Sequence, residues 1–104
     1  MMIKKAETTP MHLGRLLKEA REAEGYSLQL VAMKMNIKFN HLKLVEMGEK
    51  IPLDDYLVDL CNLLHVDIIQ AWDLFKDAKL KYWNKRFERE NVRMFMAYKM
   101  AQKK

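Results

Sequence analysis

Between Gln29 and Lys50 this chain gathers side chains suited to a polyanionic, hydrogen-bonding surface. Asn40 and His41 carry donors and acceptors that can reach base edges in a major groove, and Phe39 and Leu44 offer apolar contact to a thymine methyl. Lys34, Lys38, Lys43 and Lys50 supply positive charge for phosphates, and Gln29 can bond a phosphate oxygen. For each lysine the plain alternative is a solvated surface position. Bond-making chemistry has much less support. His12, His41 and His65 are isolated from one another and Cys61 is a lone cysteine, so no zinc-binding set is expected, and no glycine-rich phosphate loop is present. The expectation is a protein that is not an enzyme and uses neither metal nor cofactor.

Those side chains need two short helices to position them, and the stretch from Ser27 to Gly48 has that pattern. Val31, Ala32 and Met35 share one helical face, and Ser27 stands where an N-cap satisfies free backbone N–H groups. Ala32 is small enough to let a second helix cross close above it. Asn36 tolerates a left-handed backbone, and the apolar Ile37 after it can plug the turn. A second helix from about Phe39 to Met47 turns Leu42 and Val45 inward and leaves Phe39, Asn40, His41, Lys43 and Leu44 outside.

The 104 residues are half apolar, with three Gly, two Pro and no run suggesting a sheet, so an all-α domain is expected. The pattern predicts a flexible lead-in over 1–10, a helical domain over 11–75 and a basic helical extension over 76–104. Helices are expected at about Met11–Glu24, Leu28–Met35, Phe39–Met47 and Leu53–Leu64, with a fifth starting near Asp67. Cys61, alone and flanked by Leu57, Leu60 and Leu64, reads as a buried thiol. Overall charge is +5, but ten Lys and Arg against three acids place +7 after residue 75 and leave −2 before it. The acids collect in the first helix and at Asp54, Asp55 and Asp59, which leaves a basic edge near the lysines. MMIKKAETTP has no apolar stretch behind its lysines and no apolar run approaches about 18 residues, so a cytoplasmic protein without a membrane span is expected.

From Leu13 to about Phe75 the chain resembles the Cro and phage-repressor (Xre) type of helix-turn-helix domain. The words that carry the resemblance are LGRLLKEAREAEGYSL, LVAMKMNIKFNHLKLVEMG, IP, and LVDLCNLLHVD, in that order. It implies a five-helix domain whose third helix reads double-stranded DNA as a bacterial or phage regulator. It also implies a structural ion pair between Arg21, late in the first helix, and Glu46, at the end of the recognition helix. Leu28, Leu30, Met33 and Met47 depart from the polar residues usual at those places. Together with Phe39 and Leu44 they suit a protein surface. A second resemblance, through LKEARE, SL, LVA, Pro52 and Tyr56, is to the cytoplasmic helix-turn-helix of RodZ-type cell-shape proteins, which implies a protein partner. An antitoxin-type regulator is a further alternative.

Past Phe75 the helical signal continues. Leu80, Phe87, Met94 and Ala101 recur every seven residues with Trp83 between, while Glu90 and Asn91 interrupt a regular coiled coil. Asn91 can instead cap a short helix holding Val92, Phe95, Met96 and Met100. Because a single helix-turn-helix reads few base pairs, Leu80, Trp83, Phe87, Met94 and Phe95 are expected to form a homodimer contact. Folding back on the domain and lying on a membrane surface are the alternatives.

Overall fold

The computed structural model describes residues 9–79 and 89–103. Among the described residues the helices with defined bounds are, in order, α1 (Thr9–Ala23), α2 (Leu28–Met35), α3 (Phe39–Glu46), α4 (Asp54–Leu64), α5 (Ile68–Lys79) and α6 (Val92–Gln102). No strand occurs among the described residues. The all-α expectation holds, and α2 has the bounds its periodicity predicts. Helix α1 begins two residues earlier than expected, at Thr9, and α5 continues past Phe75 to Lys79.

Local chemistry explains the breaks between helices. The Ser27 side chain accepts a hydrogen bond from Leu30 N at 3.0 Å, relieving one unsatisfied donor at the start of α2. Asn36 ends α2 in the left-handed region (φ 55°, ψ 44°), so the chain reverses without a glycine. Ile37 N then bonds Ala32 O at 3.0 Å, closing the tight turn beneath the half-buried Ile37 side chain. Gly48 has φ 80° and sits against α1, where a Cβ would come within 2.7 Å of Met11 Cα. Only glycine meets both demands.

Leu13 and Leu17 of α1, Val31 and Ala32 of α2, Leu42 and Val45 of α3, and Leu57, Leu60 and Leu64 of α4 form one core with Trp72 and Phe75 of α5. Cys61 is buried there, and burial pushes its thiol up to about 12, so it stays protonated and inert at neutral pH. Gly14 is the contact point of α1 with α3: a Cβ there would meet Val45 O at 2.4 Å and Glu46 O at 2.6 Å. The close approach of α1 to α3 therefore depends on Gly14.

Helix α6 belongs to this same core. Met94 is fully buried, and Trp72 stacks with Tyr98 at 5.4 Å and packs against Phe95 at 5.6 Å. The start of α6 is capped from a distance. Asp54, buried at the start of α4, accepts from Met94 N at 2.6 Å and Arg93 N at 3.2 Å. The Arg93 guanidinium spans Asp59 at 2.9 and 3.2 Å and donates to the Asp55 carbonyl. Asn91, the residue preceding α6, is buried and accepts from Lys79 Nζ at 3.0 Å instead of capping the helix with its own side chain. Met94 and Phe95, expected at a contact between two copies, are thus used inside the protomer, because their face covers Trp72. Leu80, Trp83 and Phe87 lie outside the described residues.

Candidate nucleic-acid interface

Helix α3 is held at a fixed angle by an ion pair at its C-terminal end. Arg21 Nε donates to Glu46 Oε2 at 2.7 Å, and a second guanidinium nitrogen donates to Oε1 at 3.0 Å. The third guanidinium nitrogen donates to Tyr26 O at 2.8 Å. The two side chains are only 11% and 6% exposed, so breaking one side leaves a charge in a poor environment, at a cost of roughly 3–5 kcal/mol for a buried pair. The hydrogen bond to Glu46 raises the Arg21 pKa further above its ordinary value. Gly14, the Arg21–Glu46 pair and the Asn36 turn together set how α3 stands out from the body.

Along α3, Phe39, Asn40 and Lys43 are exposed, as are Lys38 before it and Lys50 after it. Gln29 and Lys34 of α2 are exposed too. The polar residues expected to meet bases and phosphates are therefore exposed except His41, which like Leu44 is half-buried. His41 is less free than its spacing implies. Its Nε2 lies 2.6 Å from the Tyr56 hydroxyl, and the two rings meet edge to face at 5.6 Å. Burial, followed by the nearby Lys50 charge, holds its pKa below the ordinary histidine value, so at neutral pH the ring is uncharged. Tyr56 is itself pushed up to about 12 by burial and remains a phenol.

The apolar outer positions divide into two groups. Leu28 packs against the core, and Leu30 is half-buried. Met33, Met47 and Phe39 stay open, at 73%, 52% and 41% exposure, so the apolar patch is smaller than six residues.

Two residues that shape this surface, and a third that holds α6 on the core, have no role assigned by the sequence pattern alone. Gly14 had a legible signal, since a glycine inside an otherwise regular amphipathic helix marks a close approach. Tyr56 stood out only as part of a resemblance, and nothing local pairs it with His41, 15 residues away. Asp54 caps a helix 40 residues downstream, a relation invisible to periodicity.

No helix among the described residues is long and apolar enough to cross a membrane. Comparison with known proteins gives three findings. The HTH-type transcriptional regulator ImmR of Bacillus subtilis (strain 168) is 43% identical over 56 residues, 54% of this chain and 44% of that protein. The match thus spans less than half of that relative's length. No solved structure matches significantly. The profile of the helix-turn-helix family matches residues 17–70, which takes in α2, its left-handed Asn36 turn, α3 and the Glu46 end of the bracing pair. With that geometry and that match, the chain belongs to the helix-turn-helix family of Cro/repressor type.

Proposed function

We propose that this protein is a sequence-selective DNA-binding transcriptional regulator of bacterial or phage type, with α3 entering the major groove. The observation that carries the reading is the braced helix α3, whose exposed Phe39, Asn40 and Lys43 stand beside exposed Lys34, Lys38 and Lys50. A braced helix with apolar and hydrogen-bonding side chains on its outer face is suited to base edges, and flanking lysines to phosphates. The relative's name, a transcriptional regulator, supports the same reading.

Pairing into a homodimer would place two such helices one helical turn apart. The exposed Val92, Met96 and Met100, spaced by four along the outer side of α6, support this helix as the contact. Sedimentation of the full chain tests the pairing, and a monomer at high micromolar concentration contradicts it.

A second reading, in which the same face binds a protein, is favoured by Met33, which at 73% exposure leaves a large apolar side chain in water. Selection from a random duplex library separates the two. Enrichment of a short motif supports the regulator, whereas no retention of duplex DNA even at low salt moves the assignment to a protein partner.

A further inference from the structure

One side chain on α3 has its hydrogen-bonding character set from outside the helix. His41 Nε2 and the Tyr56 hydroxyl are 2.6 Å apart, a distance that a proton on either atom would satisfy. Tyr56 is 8% exposed and anchored in α4, so its hydroxyl is not free to turn away into solvent. An unprotonated imidazole nitrogen is a better acceptor than a phenol oxygen, and a phenol O–H is a better donor than an imidazole N–H. Both preferences put the shared proton on Tyr56. An uncharged imidazole whose Nε2 accepts must carry its proton on Nδ1. Among the described residues His41 makes no hydrogen bond other than that to Tyr56, which leaves Nδ1–H for a ligand.

We propose that Tyr56 is a positioning residue that locks His41 in the Nδ1–H tautomer, so that α3 presents a hydrogen-bond donor at this place and selects a base edge bearing an acceptor. The inference rests on the DNA-reading assignment above. In the major groove the acceptors are N7 and O6 of guanine, N7 of adenine and O4 of thymine, whereas cytosine shows an amino donor. The predicted preference is therefore depletion of cytosine, on the touched strand, at the one position that His41 faces. Tyr56 acts through His41 and contacts no base itself.

The test has two independent arms. Long-range proton–nitrogen correlation NMR on the free protein near pH 7.5 identifies which ring nitrogen of His41 is protonated. The expected result is Nδ1–H in the wild type and a shift toward Nε2–H, the form an unconstrained histidine prefers, in Tyr56→Phe. Selection from a random duplex library then compares wild type, Tyr56→Phe and His41→Ala. Both variants should lose discrimination at the same single position by about two- to tenfold, the range for one neutral hydrogen bond. A wild-type His41 protonated on Nε2 overturns the proposal without any DNA measurement or variant. An Nδ1–H tautomer with unchanged base preference in His41→Ala overturns the specificity role. A wild-type protein that enriches no sequence at all refutes the DNA-reading assignment and takes the specificity role with it, while the NMR result still stands by itself.

Discussion

Replacing Gly14 with alanine sets two effects of known sign against each other. Helix propensity alone favours alanine by about 1 kcal/mol, because glycine loses more backbone freedom on folding. The structure predicts the opposite outcome. The new Cβ would lie 2.4 Å from Val45 O and 2.6 Å from Glu46 O, where ordinary contact begins at 3.4 Å. Both atoms are backbone of α3 and its end, so no rotamer change relieves the clash, and α1 must retreat from α3 by up to about 1 Å. Overpacking of this kind costs roughly 1–3 kcal/mol, and the retreat also stretches the Arg21–Glu46 bonds that join the same two helices. Subtracting the propensity gain leaves about 0–2 kcal/mol, and the stretched Arg21–Glu46 bonds add to it, so the expected net loss is about 1–2 kcal/mol. For a chain near 100 residues each kcal/mol lowers the midpoint by roughly 4–8 °C. Thermal and urea unfolding followed by circular dichroism measure it. A variant as stable as the parent, or more so, would refute the claim that α1 and α3 meet at Gly14 without room for a methyl group.

Other expectations follow from the same contacts. Arg21→Ala and Glu46→Ala should each cost about 3 kcal/mol, and the double variant clearly less than their sum, because the second change removes the stranded charge; strict additivity in urea titrations would contradict the pairing. Asp54→Ala should destabilise the docked α6 by roughly 1–3 kcal/mol through loss of its two amide contacts, read as faster hydrogen exchange confined to α6, and unchanged protection there would remove Asp54 as its cap. His41 has a folded-state pKa below its unfolded value, so its contribution is fully present above about pH 6.5 and is lost as pH falls through and below it. Stability should therefore drop on going from pH 7.5 to 5.5, and His41→Gln should flatten that drop; an identical slope in the variant would exclude His41 as its source.

What the sequence reveals of this molecule depends on how local each determinant is. Ser27, Asn36, Gly25 and Gly48 act within a few residues of themselves, through capping bonds or positive φ, so α2 and the helix boundaries near it could be placed without coordinates. The Arg21–Glu46 pair is 25 residues apart and became visible only through resemblance. Beyond Phe75 the periodicity correctly suggested a helix after Asn91, yet it could not say which partner the helix would cover. Met94 and Phe95 suit a second copy of the chain as well as they suit Trp72. The deciding contacts, Asp54 with the Met94 amide and Arg93 with Asp59, join residues 34 to 40 positions apart. At the interface, exposure of Asn40 and Lys43 was predictable from their places on α3, because outward positions follow from inward ones. The restraint on His41 was not, because Tyr56 reaches it from another helix.

The most direct test of the account is the salt dependence of affinity for duplex DNA, measured by fluorescence anisotropy for the parent and for the Lys38→Ala, Lys43→Ala double variant. If α3 sits in the groove with these lysines on phosphates, log affinity falls linearly with log salt. Removing two phosphate contacts should then shallow the slope by about 1.8, at roughly 0.9 per contact. Absence of binding at low salt, or a slope that the double variant leaves unchanged, would contradict the placement of α3 on DNA.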